Sequence, residues 1–200
     1  MNSKRYEKST ISNAIVALKA GNLIVYPTDT LYALGADIFN DGSVTKVFTV
    51  KKRPFSNPLS VAVADFEAIS KIAYTNEFVK QVVERFLPGS LTIILRKKES
   101  VSRLVTGGLD NIAVRIPDNK IALKLLSAFG PLTVTSANVH GKKTPYVIKD
   151  IMMQFTTDIL VYLDDGRLDA KPSTIVDLTL EKPRIVRKGS ITLEEILDAI

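Results

Sequence analysis

The sequence predicts a single α/β domain built on a mostly mixed β-sheet flanked by helices. Three observations carry that expectation. A chain of 200 residues, 46% of them hydrophobic, can bury one substantial core and leaves little room for a second. Short apolar runs of β character recur along it, several continuous rather than alternating, as strands covered on both faces are. Helical patterns lie between these runs, so strands and helices interleave.

Residues 12–20 place Ile15, Val16 and Leu18 at helical spacing and stop at Gly21, a glycine C-cap. The strand Leu23-Ile24-Val25-Tyr26 follows and ends at Pro27. Further strands are expected at residues 59–63, 91–95, 112–116, 132–135, 159–163, 174–178 and 184–186. Helices are expected at residues 43–52, 77–86 and 120–129, and at 193–200 behind a Thr192/Glu195 capping-box pair. The 10 Gly and 9 Pro are scattered singly, with no repeat, linker or low-complexity tract, so residues 1–200 read as one domain.

Composition narrows the chemistry. No apolar run approaches the roughly 20 residues that cross a bilayer, and residues 1–10 are too polar for a secretory signal. A cytoplasmic protein without a membrane partner is expected. With no Cys and a single His, His140, the chain lacks soft ligands for zinc or an iron–sulfur cluster. Any metal is expected to be a hard ion such as Mg²⁺, held through substrate phosphates and not by protein side chains. A formal charge of +6 favours an anionic partner but does not separate ATP from RNA.

The candidate site residues sit at strand ends. Tyr26-Pro27-Thr28-Asp29-Thr30 is a hydroxyl-rich turn after a buried strand; Thr28 and Thr30 could bind a small polar substrate or satisfy the turn itself. Lys51-Lys52-Arg53-Pro54 with Asn57-Pro58-Leu59 suits phosphates, or forms a solvated basic patch. Arg115 lies inside the apolar strand Asn111-Ile112-Ala113-Val114-Arg115-Ile116 and needs an anion, either a structural carboxylate or that of an amino-acid substrate. Thr133-Val134-Thr135-Ser136-Ala137-Asn138 ends a strand in hydroxyls and an amide, and Gly141-Lys142-Lys143-Thr144 adds positive charge. Ser173 and Arg187 repeat the pairing of hydroxyl and cation. No P-loop and no Gly-x-Gly-x-x-Gly is present, and a lone loop His140 has no matching catalytic pattern.

Taken in order, Tyr26-Pro27-Thr28-Asp29-Thr30, Lys51-Lys52-Arg53-Pro54, Asn57-Pro58-Leu59, Ala113-Val114-Arg115, Ser136-Ala137-Asn138, Ser173-Thr174 and Arg187-Lys188-Gly189 resemble the YrdC-like family. The likeness runs from about residue 10 to the C-terminus, with the motif-bearing part at about 10–190. Lys51, Arg53, Ser136 and Asn138 match its Lys-x-Arg and Ser-x-Asn signature. The resemblance implies a YrdC-like α/β fold, a twisted, mostly mixed β-sheet flanked by helices with a positively charged cavity on its concave side. It implies L-threonylcarbamoyladenylate synthase activity on L-threonine, bicarbonate and ATP with Mg²⁺. The threonylcarbamoyl group would then go to tRNA through a downstream transfer complex.

By position, the resemblance assigns Lys51, Arg53, Ser136 and Asn138 to catalysis. It assigns Arg53, Asn57, Asn111, Ser136, Thr144 and Arg187 to ATP, and Thr28, Arg115, Val134 and Ser173 to threonine. This chain departs from the pattern at Ala62, where some longer relatives carry His, and at Val139-His140-Gly141, where Leu-Ser-Gly is usual. It resembles the short form that lacks a further C-terminal domain. Two rival readings stand beside this one: a module binding tRNA or double-stranded RNA, favoured by charge but without a stacking-aromatic motif, and a paralogue without threonine specificity.

Overall fold

The computed structural model describes residues 9–155 and 159–198. The helices are α1 (Ile11–Lys19), α2 (Asp41–Lys51), α3 (Phe66–Ile72), α4 (Glu77–Phe86), α5 (Lys120–Phe129), α6 (Ile148–Gln154) and α7 (Leu193–Leu197). The strands are β1 (Leu23–Tyr26), β2 (Ala33–Gly35), β3 (Ser60–Ala62), β4 (Leu91–Arg96), β5 (Asn111–Arg115), β6 (Leu132–Thr133), β7 (Thr135–Ser136), β8 (Ile159–Tyr162), β9 (Thr174–Asp177) and β10 (Arg184–Arg187).

The mixed sheet expected from sequence is divided in two. One runs β7-β2-β1-β8 and the other β10-β9-β4-β5-β3-β6, each combining parallel and antiparallel pairs. The division falls within the expected strand 132–135. Leu132 and Thr133 pair with β3, Val134 belongs to neither strand, and Thr135 and Ser136 pair with β2. Thr133 stitches the two sheets: its hydroxyl accepts from the Ala36 amide at 3.0 Å and donates to the Leu34 carbonyl at 2.9 Å. A period-2 pattern cannot reveal such a change of partner, because it records which face a side chain takes and not which strand lies alongside.

Polar side chains start the helices by accepting from backbone amides: Thr10 for α1, Asn40 for α2, Asp65 for α3, Asn76 for α4 and Asn119 for α5. The apolar faces Val79, Val82 and Val83 of α4 and Ala122, Leu125 and Leu126 of α5 are buried. Three elements lie outside the expected set: α3 and α6, each seven residues long, and the three-residue β2. Two turns of helix or three residues of strand are too short to show a period. The expected helix 193–200 is helical to Leu197, and its last two residues lie outside the described residues.

Gly35 on β2 permits the tight crossing of the Tyr26 ring, since a Cβ there would come within 2.8 Å of it. The Tyr26 hydroxyl, fully buried, donates to the Thr133 carbonyl at 3.0 Å. Among the described residues no helix is long and apolar enough to cross a membrane.

Candidate active site

A cavity of about 510 Å³ opens where the two sheets meet. It is lined by the turn after β1 (Thr28, Thr30), by Thr92 and Ile94 of β4, and by Ala113 and Arg115 of β5. Residues 134–136, Thr144, Ser173 and Arg187 complete its polar wall, with Arg53 at the loop after α2. Three arginines and no carboxylate belong to this lining.

Arg115 is held from behind. Its Nη2 donates to both Asp29 oxygens, at 2.6 and 2.8 Å, and to the Gly89 carbonyl at 3.0 Å, while Nη1 donates to the Thr30 hydroxyl. Ser90 donates to the second Asp29 oxygen. The anion that Arg115 requires is thus a structural carboxylate, and burying the pair is tolerable because both charges are compensated. Among the described residues, Arg115 Nε is buried without a hydrogen-bond partner. Thr28 stands beside this group, its hydroxyl donating to the Leu31 carbonyl at 2.6 Å and lying 3.1 Å from the Thr30 hydroxyl.

Ser173 and Arg187 form a second group. Arg187 Nε and Nη2 converge on the Ser173 carbonyl at 3.0 and 2.8 Å, and Nη2 also reaches the Ser173 hydroxyl. The Thr92 hydroxyl lies 2.9 Å from that of Ser173. Burial, and then the nearby Arg115 charge, lower the Arg187 pKa. Gly189 makes the approach possible, because a Cβ there would stand 2.3 Å from the Thr174 amide nitrogen.

Arg53 is anchored within its own loop, Nε to the Asn57 carbonyl at 3.2 Å and Nη2 to the Pro58 carbonyl at 2.8 Å. Burial lowers its pKa as well. Arg53 and Arg187 therefore share a pattern. Each spends Nε and Nη2 on carbonyls, leaves Nη1 without a hydrogen bond among the described residues, and has no carboxylate partner there.

Of the residues marked in the sequence, Thr28, Arg53, Arg115, Val134, Ser136, Thr144, Ser173 and Arg187 meet on this cavity. Lys51, Asn57, Asn111 and Asn138 are not in its lining. Asn111 lies two residues before Ala113 on the same face of β5, and the Asn57 backbone anchors Arg53. Lys51 and Asn138 stand behind the wall. The Lys51 ammonium, 1% exposed, donates to the Ser136 carbonyl, to the Asn138 carbonyl at 2.7 Å and to Asn138 Oδ1 at 3.3 Å. The Ser136 hydroxyl donates to the same Oδ1 at 2.6 Å. Burial, and then the Arg53 charge, push the Lys51 pKa down to about 7. His140 is exposed and, among the described residues, gives only its amide, to the Lys51 carbonyl.

Thr30, marked with Thr28 as a candidate hydroxyl, also lines the cavity and accepts from Arg115; Asp29 and Thr92 are the polar neighbours that sequence reasoning left unassigned. For Asp29 a signal existed, since an arginine within an apolar strand demands an anion and Asp29 lies in the turn motif. Among the described residues no three His, Cys, Asp or Glu side chains cluster to hold a metal ion.

A family model described as telomere recombination, Sua5/YciO/YrdC, matches residues 16–189. The chain belongs to the Sua5/YciO/YrdC family. Within it, the threonylcarbamoyl-AMP synthase of Pyrococcus abyssi is 38% identical over 197 residues, covering 96% of this chain and 58% of that protein. A putative threonylcarbamoyl-AMP synthase of Methanocaldococcus jannaschii is 38% identical over 177 residues, covering 88% and 84%. The structure of P. abyssi Sua5 complexed with L-threonine superposes with a TM-score of 0.90 at 38% identity, over 98% of this chain and 59% of that one. The chain thus spans under two thirds of the P. abyssi protein, and its cavity lies inside the shared part.

Proposed function

We propose that this member of the Sua5/YciO/YrdC family is an L-threonylcarbamoyladenylate synthase, a nucleotidyltransferase that joins L-threonine, bicarbonate and ATP into threonylcarbamoyl-AMP and pyrophosphate. One observation carries the reading: a single cavity holds two kinds of cation. Arg115 is compensated by Asp29 and surrounded by hydroxyls, whereas Arg53 and Arg187 have no carboxylate partner among the described residues. The first, already neutralised, shapes a hydroxyl-lined end of the cavity that suits the polar groups of an amino acid. The other two suit a polyanion such as a triphosphate. The relatives named threonylcarbamoyl-AMP synthase, and the related structure complexed with L-threonine, support the same assignment.

In this reading the threonine amine adds to bicarbonate with loss of water, giving a carbamate. A carbamate oxygen attacks the α-phosphorus of ATP, the bond to the β-phosphate oxygen breaks, and pyrophosphate leaves. The nucleophile is already anionic, so a strong side-chain base is unnecessary, in keeping with a cavity of hydroxyls and arginines. Its work is to position two anions side by side and offset the charge that moves onto pyrophosphate. Arg53 and Arg187 do the second part, and Thr28, Arg115 and Ser173 hold the amino acid. The lining does not fit a protein-held metal, having no carboxylate; Mg²⁺ enters as part of the ATP substrate. The product is an acyl-phosphate anhydride, reactive enough to serve a tRNA-modifying transfer complex in the cytoplasm.

The test is to incubate the protein with ATP, Mg²⁺, labelled bicarbonate and threonine, and to follow pyrophosphate and labelled adenylate while omitting each substrate in turn. Product only with all substrates present is the expected result, and serine then serves as competitor. Salt-sensitive RNA binding without any adenylate would replace this reading with that of a binding module.

A further inference from the structure

We infer that Lys51 is a positioning residue that holds the 136–142 wall of the cavity in place, and that it does not bind substrate phosphate. The inference rests on the synthase reading only for which substrate that wall serves.

A lysine ammonium has three N–H donors and no more. All three are committed here, to the Ser136 carbonyl, the Asn138 carbonyl and Asn138 Oδ1. The side chain is 1% exposed and absent from the cavity lining, while Arg53, two residues on, lines it. The Lys51 backbone joins in, its carbonyl accepting from the His140 amide at 2.7 Å. Arg53 and Arg187 each keep Nη1 uncommitted, so the nearby cations divide into two kinds: two that can take an anion and one with nothing left to offer it.

The hub is continued by Asn138. Its Oδ1 accepts from Lys51 and from the Ser136 hydroxyl, and its Nδ2 donates to the Val139 and Lys142 carbonyls at 3.0 and 2.7 Å. Those donations fix which end of the amide carries oxygen. Lys51 therefore acts through Asn138 on the rotamer of Ser136, a residue that does line the cavity. Its two elements are unrelated in sequence: Lys51 ends α2, and residues 136–142 follow β7. Without the ammonium, three acceptors at this junction lose a donor, and only the backbone bond from His140 to Lys51 still ties the loop to the end of α2.

The deciding experiment measures backbone hydrogen exchange in the substrate-free protein, alongside the KM for ATP and for threonine, in Lys51→Arg and Lys51→Met. The arginine fork keeps the charge but cannot place three donors on one centre. In both variants, exchange at residues 137–142 is expected to rise by about tenfold or more while β4 and β5 stay protected. The KM for ATP should rise and that for threonine hold. Wild-type exchange at 137–142 together with lost turnover would overturn the inference by pointing to direct contact with substrate, and near-normal turnover in Lys51→Arg would overturn it by making charge the useful property. Should Lys51→Met not fold, the Lys51→Arg arm decides alone. The exchange arm needs no catalysis, so a failure of the synthase reading would show in the wild-type assay and leave this arm interpretable.

Discussion

Asp29 grips Arg115 by both carboxylate oxygens, at 2.6 and 2.8 Å, with 11% and 6% of the two side chains exposed. The pair joins the turn after β1 in one sheet to the end of β5 in the other, so it belongs both to the fold and to the cavity.

Replacing Asp29 by Ala leaves a buried guanidinium without its counter-charge, and unfolding free energy should fall by about 3–5 kcal/mol in urea titrations. Asp29→Glu should recover part of this. Stability unchanged in Asp29→Ala would mean that water reaches Arg115 freely.

Arg53→Ala should lower kcat/KM for adenylate formation by about 10²-fold or more. Its thermal midpoint should stay within a few degrees of wild type, because a partly exposed arginine bonded only to carbonyls of its own loop contributes little to stability. Pyrophosphate release at the wild-type rate would remove Arg53 from the phosphate site.

Gly189→Ala forces a methyl group against backbone, 2.3 Å from the Thr174 nitrogen and 2.7 Å from the Ser173 carbonyl carbon. These atoms cannot rotate away as a side chain would. Stability should drop by roughly 1–3 kcal/mol. Arg187 and Ser173 should separate, raising the KM for both ATP and threonine; a spectator glycine would leave both constants alone.

Lys51 titrates at about 7, below the ordinary lysine value of 10.5. Between those values the unfolded chain binds more protons than the folded one, so this group's contribution to stability rises with pH. Its penalty is full below about pH 7 and fades toward about pH 10. In the same window the amine loses one of three donors, and the KM for ATP should rise. Urea titrations at both ends of the range, wild type against Lys51→Met, check the first sign; ATP kinetics check the second.

Much of this was legible in the residues. The capped helices α4 and α5 emerge at their expected bounds because each carries a polar N-cap and a repeating apolar face. The strands at 91–95 and 112–116 emerge within one residue because each is apolar but for one residue. Eight of the marked site residues meet on one cavity because strand ends converge there. Short elements such as α3, α6 and β2 stayed hidden for want of a full period.

The sequence alone determined the α/β class, the strand ends that carry polar groups and the need of Arg115 for an anion. These are local properties of spacing, capping and burial. Only the tertiary structure decided that Asp29 is that anion, that the run 132–135 crosses between two sheets, and that Lys51 faces carbonyls while Arg53 faces the cavity. Each depends on which residues far apart in the chain come within about 3 Å. Neighbours along the chain hold no record of that distance; the packing of the two sheets sets it.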